Sequence, residues 1–184
     1  MNGSPAEAAS ADPTATAAQP TLWVLDTNIV LDLWVFNDPL VQPLHQALGL
    51  PTRDAAVPTP PTVAADSPRW LATPVMREEL ARVLTYPHLV RRQALDQRVA
   101  EQVLAAYDRC VTLCPPAPKA RFTCTDADDQ KFIDLAAAHA CPPPATGLAV
   151  PPSVVLLSKD HAVLRLRKRL AGLGVWVGRS WPAR

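Results

Sequence analysis

Four acids in this chain interrupt apolar patterns, and each interruption is of a kind that chemistry can use. Asp26 ends the run Leu22-Trp23-Val24-Leu25, and Asp160 closes Val154-Val155-Leu156-Leu157-Ser158-Lys159. A short unbroken apolar run reads as a strand buried on both faces. Both carboxylates then fall at strand carboxyl ends, the edge where open α/β sheets bind ligands. Glu79 sits inside the helical stripe Val75, Met76, Leu80, Val83 and Leu84, and Asp129 precedes Phe132 and Ile133 on their face. Carboxylates near a core are costly unless compensated, and several gathered together repel one another. A cation answers both problems, and oxygen-only donors favour Mg²⁺ or Mn²⁺. Such ions suit phosphodiester hydrolysis: they lower the pKa of a water, orient it, and stabilise charge on the leaving oxygen. No side-chain nucleophile is then required.

Each acid also has a plainer reading. Asp26 or Thr27 can cap the helix that follows the first strand. Thr125 with Asp128, or Asp126 with Asp129, can form a capping box, and acids at a helix start suit its dipole. Glu78, on the polar side of its helix with Arg82 four residues on, reads as a surface ion pair worth about 0.3–0.5 kcal/mol. Arg165, Arg167, Lys168 and Arg169 read as a solvated helix face, or alternatively as a phosphate-binding rim. The case for chemistry therefore rests on the set of acids.

The elements that must position the set follow from the same patterning. Strands are expected at 21–26, 70–73, 111–114, 153–157 and 174–178, and helices at 27–35, 40–48, 74–85, 94–109, 129–140 and 161–170. Thr73 and Pro74 suit a helix start, Gly49 a helix end, and Asn37-Asp38-Pro39 a turn. The apolar side of the 94–109 helix is assigned to Ala94, Leu95, Val99, Val103, Leu104 and Tyr107. Alternating elements of this kind predict a three-layer α/β/α sandwich around a mainly parallel sheet, in which the four acids converge at one edge.

Composition bounds the rest. The chain has 184 residues, 48% of them hydrophobic and 19% charged, which is ordinary for one globular domain. Its net charge of +1 gives no global field for nucleic acid or membrane. No apolar run is long enough to span a bilayer, and the N-terminus lacks a signal-peptide pattern, so a cytoplasmic location is expected. Cys110, Cys114, Cys124 and Cys141 fit no zinc spacing and read as reduced. Residues 1–20 are expected to form a disordered tail before a single domain at 21–184, and the 21 prolines mark insertions at 51–68 and 141–152.

At this point the set resembles a known family, the PIN domains, a nuclease fold found in many bacterial toxin–antitoxin toxins. Asp26-Thr27-Asn28 matches its first motif. Glu79-Leu80 with Val83-Leu84 and Pro87 resembles the second. Asp126-Ala127-Asp128-Asp129-Gln130-Lys131-Phe132 is similar to the third, and Ser158-Lys159-Asp160 resembles the fourth, where Thr/Ser-x-Asp is usual. The resemblance implies a metal-dependent endoribonuclease. Asp26, Glu79, Asp129 and Asp160 would bind Mg²⁺ or Mn²⁺. Asn28 and Ser158 would support them, with Asp126 and Asp128 as neighbours. It further implies a homodimer, an RNA substrate and a cognate antitoxin protein.

Two other readings compete. A scaffold that binds RNA or protein without cleaving has little reason to keep a repulsive acidic cluster. A phosphatase-like domain using Asp26 as nucleophile wants a second aspartate two residues on, where this chain has Asn28. Within the leading reading, a housekeeping RNA-processing enzyme stands as the alternative to a toxin. The two proline-rich insertions are longer than such toxins usually carry.

Overall fold

The structure is a computed structural model that describes residues 22–50, 68–95, 99–142 and 152–180. The expected tail at 1–20 and most of both proline-rich insertions lie outside the described residues. Among the described residues, five strands form one sheet: β1 (Leu22–Leu25), β2 (Arg69–Ala72), β3 (Val111–Leu113), β4 (Val154–Leu157) and β5 (Val175–Gly178). Their order is β3-β2-β1-β4-β5, and every pairing is parallel. All five expected strands are present.

Strand β4 shows why the sheet is a middle layer. Its four residues Val154 to Leu157 are fully buried. Successive strand side chains point to opposite faces, so both faces must be covered. Helix α6 (Gln130–His139) packs on β1 and β4, and α7 (His161–Arg165) and α8 (Arg167–Ala171) pack on β5. Helix α1 (Thr27–Leu31) leads from β1 and packs on α3 (Pro74–Leu84), which also meets α4 (Pro87–Leu95) and α5 (Ala100–Cys110). Trp34, Trp70 and Tyr107 join these elements, with the two indoles stacked at 5.5 Å and Tyr107 edge-on to Trp70 at 5.2 Å.

The sheet order has a functional consequence. From β1 the chain builds outward to β2 and β3, then returns to the other side of β1 with β4 and β5. The order reverses between β1 and β4, so the crevice expected at such a switch lies where Asp26 and Asp160 leave their strands. Register places Leu25 beside Leu157, and the Asp26 amide donates to the Leu157 carbonyl at 2.9 Å.

Several local expectations need correction. The helix expected at 27–35 becomes α1 followed by a π-helical turn at Asp32–Phe36, which stops at Asn37 with φ of 50°. The segment expected as a helix at 40–48 opens with a 3₁₀ turn at Pro39–Val41 before α2 (Gln42–Ala47), and it ends, as expected, at Gly49 with φ of +58°. The helix expected at 94–109 is split between α4 and α5. Pro87 not only stops α3 but starts α4, since proline fits a first helical turn. Ala94, Leu95 and Val99 are consequently exposed, whereas Val103 and Tyr107 are buried as expected. The 161–170 helix breaks at Leu166 into α7 and α8, although Val163, Leu166 and Leu170 all face inward. Val75 is exposed, so the stripe of α3 is Met76, Leu80 and Leu84, with Val83 half-buried.

Candidate active site

Asp26 is fully buried at the end of β1, and its two oxygens have different partners. Oδ1 accepts from the Asn28 amide at 3.3 Å, capping α1. Oδ2 accepts from the Ser158 hydroxyl at 2.6 Å. The capping reading and the sheet-edge reading are thus both true of one side chain. Burial pushes its carboxyl above the usual range, the Ser158 and Asn28 hydrogen bonds oppose this, and the charges of Glu79 and Asp160 add to it.

Ser158, also buried, joins two of the acids. Its hydroxyl donates to Asp26 and accepts from the Asp160 amide at 2.9 Å. Asp160 in turn caps α7, its Oδ1 accepting from the Ala162 amide at 2.5 Å. Asn28 contributes through its backbone amide, and its side chain is exposed.

Glu79 reaches the site from α3 and is largely buried, with 19% of its side chain exposed, whereas Glu78 is exposed. Its Oε1 accepts from the Thr27 hydroxyl at 2.8 Å, and its Oε2 is ion-paired with Lys131. The ion pair expected between Glu78 and Arg82 is absent among the described residues. Arg77 instead grips Asp108 of α5 with two hydrogen bonds, at 2.6 and 2.7 Å.

Asp129 stands at the start of α6 but makes no side-chain cap, and neither expected capping box forms around it. Asp126 accepts from the Asp128 amide at 2.9 Å in a tight turn, and both side chains are exposed. Loop 120–124 is pinned to α6 by Gln130 and Asp134. Gln130 accepts from the Cys124 amide at 2.7 Å and donates to the Phe122 carbonyl at 3.1 Å, while Asp134 accepts from the Ala120 amide at 2.8 Å. With its approach so fixed, Asp129 keeps a buried Oδ2 that has no hydrogen-bond partner among the described residues. Its carboxyl is pushed up to about 7, first by burial, then by the charges of Asp26, Asp160 and Asp126, with Lys131 opposing.

The four expected acids are therefore gathered around one sheet edge, where Asp26 feels the charges of Glu79 and Asp160, and Asp129 feels those of Asp26 and Asp160. As placed, no three His, Cys, Asp or Glu side chains among the described residues form a ready metal-binding group. Glu79 is held by Thr27 and Lys131, and Asp160 is turned to Ala162. The donor set nonetheless fits a hard divalent cation: all donors are oxygens, and the orphaned Oδ2 of Asp129 is a buried acceptor that lacks a positive partner.

Thr27 was expected as a helix cap or motif member and Lys131 only as a motif member, and neither was expected to hold Glu79. Thr27 carries a signal in hindsight, since it follows Asp26 directly. Lys131 is the one base in a run of acids, and only the fold shows which acid it meets.

A PIN-domain family model matches residues 23–142, about two thirds of the chain. The chain belongs to the PIN-domain family. PIN domains are generally nucleases, and the match contains Asp26, Glu79 and Asp129. It stops before Ser158 and Asp160, which the β1–β4 register brings beside Asp26 in this PIN domain. The five-stranded parallel sheet agrees with the family's α/β sandwich. Comparison with curated proteins found no match, and comparison with solved structures found none. The four cysteines are unpaired, and no described helix is long and apolar enough to cross a membrane.

Proposed function

We propose that this PIN domain is a metal-dependent endoribonuclease that hydrolyses RNA phosphodiester bonds with water. The observation that carries the reading is the buried, unpartnered Oδ2 of Asp129 set among Asp26 and Asp160 at the sheet's switch point. A structural role leaves no reason to hold an unsatisfied, charge-repelled carboxylate there. Asp26, Asp129 and Asp160 would hold Mg²⁺ or Mn²⁺, with Glu79 at the margin. The ion, when bound, would supply an activated water and charge stabilisation at the leaving oxygen. The chain's own residues do the positioning. Ser158 fixes Asp26 and the Asp160 backbone in one hydrogen-bonded unit, and Gln130 with Asp134 sets where α6 begins and hence where Asp129 stands.

The resemblance to toxin components supports a further reading, that the chain is the toxin of a toxin–antitoxin pair, works as a homodimer, and is blocked by an antitoxin protein. A housekeeping RNA-processing nuclease is the alternative. A small adjacent gene whose product binds this chain and stops cleavage would favour the toxin.

The test is cleavage of a mixed RNA pool by wild type, Asp26→Asn and Asp129→Asn, with Mn²⁺, Mg²⁺ or EDTA. Cutting that needs metal and disappears in both variants is expected. Cutting that persists in EDTA, or in either variant, would sink the assignment.

A further inference from the structure

We propose that Lys131 is a substrate-binding residue, contacting a non-bridging phosphate oxygen of the RNA strand while Glu79 holds it in place. The proposal rests on the nuclease reading and adds to it a residue and a path for the strand. Between α3 and the approach to α6 lies an open cleft of about 500 Å³, lined by Val75, Glu78, Glu79, Arg82, Asp128 and Lys131. Glu79 is the member of the acid cluster that lines it, so the cleft adjoins the cluster there.

Lys131 is built into this wall. Its ammonium is paired with Glu79 Oε2, donates to the Asp128 carbonyl, and lies 4.6 Å from the centre of the Phe132 ring. Only 19% of its side chain is exposed, unusually little for a lysine. An ammonium has three N–H donors, and these contacts account for two. The third has no protein acceptor among the described residues. A phosphate oxygen in the cleft would complete it.

Charge argues the same way. Glu78, Glu79 and Asp128 alone would make the cleft repel a polyanion. Lys131 cancels Glu79 within the wall, and Arg82 is a second cation on the same cleft. A strand entering the cleft beside Glu79 would pass Lys131, which is ion-paired with that acid. Lys159, which follows Ser158 in the chain, is not available in this way, because its ammonium is shared by the carboxylates of Asp32 and Asp38 at 2.6 and 3.0 Å.

Phosphate contacts are read most directly from salt dependence. Each one lost lowers the slope of log affinity against log salt by about 0.7 for a single strand. The experiment measures binding of a fluorescent mixed-sequence single-stranded RNA to wild type, Lys131→Met and Lys131→Arg across a salt series, with Ca²⁺ as the metal. Lys131→Met keeps the apolar stem over Phe132, and Lys131→Gln serves as a second variant if it folds poorly. Expected is a three- to tenfold weaker affinity for Lys131→Met, to about that degree on every sequence, with the slope reduced by about 0.7 and restored in Lys131→Arg. A structural brace for Glu79 would change affinity without changing the slope, so an unchanged slope overturns the proposal and leaves the nuclease reading standing. Wild type that binds no RNA at any salt would overturn both.

Discussion

On the β4 side of the site Asp26, Asp160 and Lys159 have fixed partners, whereas on the α6 side Asp129 has an oxygen with none among the described residues. Asp26 is the more deeply buried of the two aspartates, yet both its oxygens accept hydrogen bonds. Lys159 likewise answers two carboxylates, and Asp160 caps a helix. Asp129 is less buried and is left unanswered. The contrast teaches that depth of burial does not mark the group awaiting a ligand. Unmet hydrogen-bonding capacity does.

The contrast breaks most visibly under substitution. Asp129→Asn should lower cleavage by about 10²–10³-fold or more, the usual scale for losing one charge-stabilising group. In EDTA the same change should raise the melting temperature by about 2–4 °C, because it removes a repelled charge worth on the order of 1 kcal/mol. Ser158→Ala should do the opposite in EDTA, since it strips a buried carboxylate of its donor at a cost of about 1.5–3 kcal/mol. Thermal denaturation of the two variants decides the matter, and melting points that fall together would erase the distinction between the two sides.

Lys159 gives a smaller effect. Asp32 is buried in the π-helical turn, and burial pushes its carboxyl upward while Lys159 pulls it down. Lys159→Met should cost about 1–2 kcal/mol, less than a fully buried pair because 37% of the lysine side chain is exposed. Adding Asp32→Asn should recover part of that loss in urea denaturation, while neither change should alter the salt dependence of RNA binding.

The smallest effect is on pH. Asp129 has a carboxyl near 7 in the fold against an ordinary 3.8. Between those values the unfolded chain has released this proton and the native chain retains it, so this group's contribution to metal-free stability falls as pH rises through the window. Melting in EDTA should thus improve from pH 7.5 to pH 5.5 relative to Asp129→Asn, which lacks the group. Mn²⁺ affinity, measured by calorimetry, should weaken over the same change, because the ion competes with the proton.

The strands and the four acids were legible in the sequence because each rests on a local signal: an unbroken apolar run, or a carboxylate where the period calls for an apolar residue. What was not legible depends on distant pairing. Nothing near Lys131 names Glu79 as its partner, and Lys159 meets Asp38 across 121 positions. The turn at Asp32–Phe36 has no composition that separates it from ordinary helix, and it is the fold that ties Asp32 to Lys159. Helix α4 was missed for a different reason: Tyr86-Pro87 ends one helix and begins another, and only the ending was read.

Both proline-rich stretches join the sheet where a strand begins. One leads into β2 at Arg69, and the other into β4 at Val154, where the Ser153 hydroxyl accepts from the Cys141 amide at 2.9 Å and donates to the Gly174 carbonyl at 3.3 Å. The acids lie past the opposite ends of β1 and β4, about 13 Å away at about 3.3 Å per residue. The residues that enter β2 and β4 thus stand at the sheet edge opposite the one where Asp26 and Asp160 lie.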